Sequence, residues 1–346
     1  MTEAHQQYMQ RCFQLAALGL GKVAPNPLVG SVVVYNNSII GEGYHQQYGQ
    51  AHAEVNAIAS VKNKNLLKHA TLYVNLEPCS HFGKTPPCAD LIIRHQIPQV
   101  VICNKDPNPL VAGKGIAKLE AAGIQVIKGV LEKEGWWLNR RFFTFHTEKR
   151  PYIILKWAQS TDGFITKGND KQYWITGDTA KKLSHQWRSE EQAILVGTQT
   201  VLTDNPQLNN RYFNNAQQPL RVVIDKNLII PESSFVLDNT QPTLVFNAIK
   251  NLQAENTSYI KINFDNSVSE MLAVLYNRNI QSLIVEGGAK TLNTFIQQNA
   301  WHEARILTGN IAFEQGIAAP VVLGKTIAET AIGNDRLTII SNHKTS

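Results

Sequence analysis

His52, Glu54, Cys79 and Cys88 are the residues of this 346-residue chain whose types and spacing best suit chemistry. They fall in His52-Ala53-Glu54, Pro78-Cys79 and a second cysteine after an eight-residue loop, Ser80 to Pro87. One imidazole and two thiolates suit a tetrahedral zinc whose fourth position is left for water. The metal brings the pKa of that water toward neutrality and makes it a nucleophile. At a helix start, the spacing of His52 and Glu54 lets the imidazole reach the metal while the carboxylate faces the water. Such a carboxylate can take a proton from the water and deliver it to a ring nitrogen and to departing ammonia. His-x-Glu with Pro-Cys matches a known pattern of zinc enzymes that exchange an amine for a carbonyl on a nitrogen heterocycle by hydrolysis, and that match sets the expected chemistry. The polar loop between the cysteines must lie at the mouth of the site, where Lys84 can meet an anion. Cys12 and Cys103 sit in apolar runs without such partners and are expected as buried small hydrophobes.

The second half carries a different set. In Val285-Glu286-Gly287-Gly288-Ala289-Lys290-Thr291-Leu292 a strand ends in an acid and two glycines before a helix begins. Exposed backbone N–H groups and the positive end of that helix make a phosphate or pyrophosphate site. No G-x-G-x-x-G follows the first strand of this half, so the dinucleotide fingerprint of a Rossmann fold is absent. Polar runs from Lys156 to Gly163 and from Gly197 to Pro206 also follow strands. Ligands of open α/β sheets gather at the carboxyl ends of strands, so three such loops predict a cleft.

The elements that must position these residues alternate between strand and helix. The first half reads as a helix from Ala4 to Gly19, then a hairpin of Leu28–Tyr35 and Ser38–Gly43 turning at Asn36-Asn37. A helix at Ala53–Val61 follows, with short strands at Thr71–Leu76, Val100–Asn104 and Ile124–Ile127 and helices at Cys88–His95 and Gly115–Ala122. This rhythm predicts an α/β layer on a mostly parallel sheet. The second half repeats it, with strands near 152–157, 192–197, 220–225, 243–247, 258–263, 281–285 and 302–308. Helices are predicted at 178–188, 267–277 and 289–298. The boundary falls near residue 148, where the aromatic and basic stretch RRFFTFHTEKR, read as a packed linker, gives way to Pro151 and a new strand.

Composition bounds the function. Hydrophobic residues make up 43% and charged residues 17%, which excludes a disordered or fibrous chain. The net charge of +6 is compatible with anionic small substrates and does not by itself imply nucleic acid. No apolar run approaches the roughly 18–20 residues of a membrane span, so no membrane partner is expected. The first 22 residues lack a basic start followed by a long apolar stretch and do not read as a signal peptide. Four cysteines are too few for a disulfide scaffold, and a reducing, cytoplasmic setting is expected.

The motifs NLEPCSHFGKTPPCAD, APNPLVG, GEGYH, HAEV and KDPNPLVAGKG resemble the deaminase half of the bifunctional riboflavin-biosynthesis deaminase/reductase family. RPYIILKWAQSTDGFI, WITG, AILVGTQTVLTDNPQL, RVVID and VEGGAKTLN match its reductase half in order. The resemblance covers about residues 4 to 310. It implies a cytidine-deaminase-like three-layer α/β/α domain over 1–147, followed by a dihydrofolate-reductase-like α/β domain over 148–346. It implies Zn2+ on His52, Cys79 and Cys88, with Glu54 as proton donor and acceptor and Asn26 on the pyrimidine. His81, Lys84 and Thr85 become candidates for the ribose phosphate.

In the second half the resemblance implies NADPH, contacted by Ala158, Trp174, Thr200, Asp204, Gly288, Ala289, Lys290, Thr291, Leu292, Asn293 and Thr294. Gln172, Arg188, Leu208, Arg211 and Glu286 would contact the substrate, and Lys156 and Asp162 would lie near the reacting ribose. Arg188 and Arg211 suit a clamp on a sugar phosphate, since guanidinium groups bind phosphate with paired hydrogen bonds. The implied substrate is a phosphoribosylated diaminopyrimidinone, deaminated first and then reduced to a ribitylamino-pyrimidine. A homo-oligomer, dimer or tetramer, is also implied. The chain departs from the family pattern at Asn205, Gln172 and Lys226. Two other readings share the zinc residues. A nucleic-acid-editing deaminase predicts two residues between the cysteines and an aromatic-basic groove. A structural zinc module predicts that Glu54 is dispensable.

Overall fold

The computed structural model of the protein describes residues 3–80, 86–109, 111–168, 173–213 and 217–342. The chain divides into two units, residues 1–148 and 149–346. The first runs α1 (Glu3–Ala17), β1 (Gly30–Tyr35), β2 (Ser38–Tyr44), α2 (Ala53–Ser60), β3 (Thr71–Leu76), α3 (Cys88–Arg94), β4 (Gln99–Asn104), α4 (Lys114–Ala121), β5 (Gln125–Lys128), α5 (Glu132–Leu138) and α6 (Arg140–Glu148). Its sheet has the order β2-β1-β3-β4-β5. β3, β4 and β5 are parallel, while β1 runs antiparallel to both neighbours. The expected hairpin is there, and it makes the sheet mixed instead of mostly parallel. Asn36 and Asn37 both take left-handed φ, 48° and 60°, as a two-residue hairpin turn requires.

Strand side chains alternate between faces, and that alternation builds the layers. Val33, Leu72, Val74, Val100 and Ile102 pack with Ala57, Ile58, Ala89, Ile92 and Leu119 of α2, α3 and α4. Val32, Val34, Tyr73, Val101 and Cys103 point the other way and pack with Met9, Cys12 and Leu15 of α1. The unit is therefore the three-layer α/β/α sandwich expected. The stretch read as a packed linker is instead helical over its first nine residues. Phe142, Phe143 and Phe145 are buried by α6, so the aromatic run is core.

The second unit runs β6 (Tyr152–Gln159), β7 (Phe164–Thr166), α7 (Asp178–Glu190), β8 (Ala193–Gly197), α8 (Thr198–Asp204), β9 (Leu220–Ile224), β10 (Thr243–Asn247), β11 (Leu252–Ala254), β12 (Thr257–Lys261), α9 (Ser267–Asn277), β13 (Ser282–Val285), α10 (Ala289–Gln297), β14 (Glu303–Thr308), β15 (Ile317–Ala318), β16 (Lys325–Ile332) and β17 (Asp335–Ser341). The main sheet has the order β11-β12-β10-β9-β8-β13-β6-β14-β17-β16. From β12 to β14 neighbouring strands are parallel, and the flanking strands are antiparallel. Tyr152–Leu155, Ala193–Gly197 and Ser282–Val285 are buried throughout, as parallel strands covered on both faces must be. Ile153, Leu195 and Leu283 face Met271, Leu275 and Phe295 of α9 and α10. Ile154 and Ile284 face Ala180 and Trp187 of α7. No helix among the described residues is long and apolar enough to cross a membrane.

Candidate active sites

In the first unit the carboxyl end of β3 and the starts of α2 and α3 converge. His52 immediately precedes α2 in extended backbone, and Cys88 opens α3. His52 Nδ1 lies 3.6 Å from Cys79 Sγ and 3.4 Å from Cys88 Sγ. The three ligand atoms lie within 4.8 Å of one another. A tetrahedral zinc with bonds of about 2.0–2.3 Å places its ligand atoms about 3.5–3.8 Å apart. The cluster could thus supply three corners of a tetrahedral metal site, with a donor set whose chemistry suits zinc.

The Cys88 backbone N–H donates to Cys79 Sγ at 3.4 Å. Hydrogen bonds from the Cys88 thiol and from His52 outweigh burial and hold the Cys79 thiol down at about 4. The Cys88 thiol is pushed up by that same pairing and by burial. Glu54, in the first turn of α2, is only 3% exposed. Burial pushes its carboxyl up to about 7, with His52 pulling against it.

Asn26 sits in the half-buried segment before β1. Buried asparagines hold that segment by its backbone. Asn75 Oδ1 accepts the Gly30 N–H at 2.7 Å, and its Nδ2 donates to Leu28 O at 2.9 Å. Asn139 accepts the Leu28 N–H at 2.8 Å and donates back to Leu28 O at 2.9 Å. Glu77 organises the loop after β4. Its carboxylate accepts the N–H groups of Asp106, Gly113, Gly115 and Ile116 at 2.9 to 3.2 Å. Gly115 is required there, because a Cβ would stand 1.9 Å from Pro78 O. Sequence reasoning missed Asn75, Glu77 and Asn139. The signal for Asn75 was a lone amide inside the apolar strand TLYVNL. His45 was also missed, and it reaches Asn26 Nδ2 at 3.1 Å. His81, Lys84 and Thr85 lie outside the described residues.

In the second unit a cleft of about 1590 Å³ opens at the carboxyl ends of β6, β8, β9 and β13. Glu286, just past β13, is its electrostatic centre. Arg188 of α7 grips the carboxylate with two hydrogen bonds, Nη2 at 2.7 Å and Nε at 3.3 Å. Lys156 Nζ stands 3.7 Å from Glu286 Oε2. Burial alone would raise the Glu286 carboxyl, but Arg188 and Lys156 hold it at about 2. Burial lowers the Lys156 ammonium, with Glu286 pulling against it and Arg188 adding to the lowering. Arg211 Nη1 donates to Gln207 Oε1 and Asn209 Oδ1. His185 Nδ1 accepts the Arg211 backbone N–H at 3.2 Å, and burial followed by Arg188 and Arg211 lowers the imidazole to about 4.

The expected coenzyme residues meet in this cleft with two exceptions. Ala158, Trp174, Thr200, Asp204, Gly288, Ala289, Lys290, Thr291 and Thr294 line it, as do Arg188, Leu208, Arg211 and Glu286, the residues expected to contact the substrate. Leu292 is fully buried in the core beneath α10 because it lies on the inner face of that helix, and Asn293 does not line the cleft. Asp162, expected near the reacting ribose, is not among the residues lining the cleft and latches two segments together. It accepts the Ser160 hydroxyl at 2.5 Å and the backbone N–H groups of Phe313 and Glu314, which hold it at about 2. Gln172 lies outside the described residues.

The run Thr198–Asp204, expected as a connecting loop, is the helix α8. The starts of α8 and α10 converge: the Gly288 N–H donates to Thr200 Oγ1 at 3.0 Å, and a Cβ on Gly287 would meet Thr291 Cβ at 2.6 Å. Neither helix has a side-chain cap, so both offer backbone N–H groups to an anion in the cleft. Asn205 ends α8 at φ 40°, a left-handed conformation that Asn tolerates well, and its Oδ1 accepts the Phe235 N–H. Lys226 lines the cleft with its ammonium 5.4 Å from the Phe264 ring.

Known proteins divide the chain in the same way. Residues 2–104 match the cytidine and deoxycytidylate deaminase zinc-binding region, and residues 151–339 match the RibD C-terminal domain. The riboflavin biosynthesis protein RibD of Aquifex aeolicus is 43% identical over 303 residues, covering 86% of this chain and 85% of the relative. That of Bacillus amyloliquefaciens is 41% identical over 337 residues, covering 95% and 88%. The crystal structure of a diaminohydroxyphosphoribosylaminopyrimidine deaminase/5-amino-6-(5-phosphoribosylamino)uracil reductase from Thermotoga maritima superposes with a TM-score of 0.89 at 36% identity. It covers 98% of this chain and 99% of that one.

Proposed function

Because the chain belongs to the RibD family of bifunctional riboflavin-biosynthesis enzymes, a deaminase with a zinc-binding region and a reductase in one polypeptide, we propose how its residues divide the two reactions. Residues 1–147 are the deaminase and act on 2,5-diamino-6-(5-phosphoribosylamino)pyrimidin-4-one. Residues 148–346 are the reductase and convert the deaminated ribosyl compound to 5-amino-6-(5-phosphoribitylamino)uracil with NADPH.

In the deaminase, His52, Cys79 and Cys88 hold the zinc. When bound, zinc supplies the Lewis acidity that lets water attack at neutral pH. Glu54 takes one proton from the attacking water and returns it to the departing amine, which leaves as ammonia. Burial suits Glu54 to both directions of transfer, since a carboxyl titrating near neutrality gives and takes a proton at similar cost. Asn26 binds the heterocycle. The reading is carried by the convergence of three ligand atoms with a buried carboxyl two residues from one of them.

In the reductase, the open N-termini of α8 and α10 hold the coenzyme diphosphate, with Ala158, Trp174, Thr200 and Asp204 along the rest of the coenzyme. The nicotinamide supplies the hydride that reduces the ribosyl side chain. Glu286, Arg188 and Arg211 bind the substrate, and the Glu286–Arg188 pair keeps both charges paired in a buried site. We place the enzyme in the cytoplasm as a dimer or tetramer acting on a small molecule, not on nucleic acid. Glu54→Ala tests the assignment. It should retain one zinc per chain, abolish ammonia release, and leave NADPH oxidation on the deaminated substrate intact. A variant that still deaminates at the wild-type rate would refute it.

A further inference from the structure

His45 stands just past β2 and is only 3% exposed. Its two ring nitrogens face groups of opposite kind. Nδ1 lies 3.0 Å from Ala51 O. A carbonyl can only accept, so Nδ1 carries the proton. Nε2 lies 3.1 Å from Asn26 Nδ2. An amide nitrogen can only donate, so it gives a hydrogen to the bare Nε2 lone pair. The tautomer is thus set by the backbone, and it in turn selects one of the two orientations of the Asn26 amide. Turned the other way, the amide would set Oδ1 against the Nε2 lone pair with no proton between them. The ring is held in place by burial and by its edge-on packing against His52, with centroids 5.5 Å apart at 78°. Asn26 is itself clamped at its backbone, donating its N–H to Val23 O at 2.9 Å. Among the described residues no donor reaches Asn26 Oδ1.

We infer that His45 is a positioning residue of the deaminase, which fixes the Asn26 amide so that its oxygen meets the heterocycle and the site selects an N–H edge. The inference rests on the assignment of Asn26 to the pyrimidine. An amide free to turn would offer N–H or C=O with equal ease and would accept a carbonyl or an unprotonated ring nitrogen as readily as an amine. With Oδ1 fixed on the side of the amide away from His45, a ring edge that meets it without an N–H sets two acceptors against each other. An amine-bearing substrate is therefore favoured over the carbonyl-bearing product wherever the exchanged group meets Asn26.

Three measurements on the zinc-loaded full chain test this. Long-range proton–nitrogen correlation spectra of the labelled protein should show His45 protonated at Nδ1 and bare at Nε2, with the signals identified by their loss in His45→Leu. A protonated Nε2 would overturn the inference. In a double-mutant cycle, Asn26→Ala should lower kcat/KM for deamination about 10–100-fold and His45→Leu about tenfold, mainly through KM. His45→Gln, whose side-chain oxygen can accept from Asn26, should recover most of that loss. The double variant should be no worse than Asn26→Ala alone, because His45 acts only through Asn26. Losses that multiply would overturn the inference while leaving the role of Asn26 intact. Zinc content should stay at one per chain in His45→Leu, and a fall would assign His45 to His52 instead. An Asn26→Ala enzyme of wild-type deaminase activity would remove Asn26 from the substrate site and take the inference with it.

Discussion

Glu286→Gln keeps the shape of a buried side chain and removes its charge, so it isolates what that charge does. The Glu286 carboxyl titrates at about 2 in the fold, against about 4.3 in an unfolded chain. At about 1.4 kcal/mol per tenfold change in proton affinity, the difference is worth about 3 kcal/mol. The folded value is the lower of the two. The contribution is therefore fully present above about pH 4.3 and is lost as the pH falls toward 2, with about half gone by pH 3. The glutamine cannot ionise and lacks this dependence. Urea unfolding of the full chain, followed through the exchange protection of β6 and β13, reads the unit that holds the charge. The variant should be less stable by about 3 kcal/mol at pH 7 and by about half that at pH 3. A stability difference that stays constant between pH 7 and pH 3 would refute the reasoning, since it would mean that Arg188 and Lys156 do not favour the ionised form.

Removing the metal should separate the two activities. A zinc chelator is expected to abolish ammonia release, leave NADPH oxidation on the deaminated substrate unchanged, and be reversed by added zinc; a parallel loss of both activities would contradict separate sites. Gly115→Ala puts a methyl 1.9 Å from Pro78 O, so the Pro78-Cys79 segment must shift, at a cost of about 1–3 kcal/mol. Zinc content and deamination should both fall while reduction persists, and full zinc occupancy with normal deamination would show that the segment yields without consequence.

The parts of the fold legible from sequence were those whose signal is local. Strands at 71–76, 152–157 and 281–285 announce themselves as apolar runs, and the hairpin announces itself as Asn36-Asn37 between two strand-like runs. The helix at Thr198–Asp204 was missed because Thr-Gln-Thr followed by Thr-Asp reads as a polar connection; no side-chain cap marks its start, and Thr200 in its first turn accepts the N–H of distant Gly288. The aromatic run of α6 was missed for the opposite reason. Basic residues at its ends hide an apolar face that is evident only once Phe142, Phe143 and Phe145 are seen to be buried. Leu292, read among the coenzyme contacts, packs in the core because a motif read as a line of contacts wraps around a helix, whose inward positions face the sheet.

The residues that hold the sites in shape share a chemistry that pattern reading passes over. Asn75, Asn139, Glu77 and Asp162 each direct a buried or latched polar side chain at backbone N–H groups of a segment distant in sequence. A loop satisfies only some of its own N–H groups, and leaving a buried one unpaired costs about 1–3 kcal/mol. A loop that carries functional side chains in a fixed pose must therefore borrow acceptors from elsewhere. The Asn26 segment borrows them from a strand and from the end of a helix, and the loop after β4 borrows them from Glu77. Such residues look like isolated polar interruptions in sequence. Their meaning depends on which loop the fold brings to them, so an amide or carboxylate inside an otherwise apolar strand marks the place to look for the loop it holds.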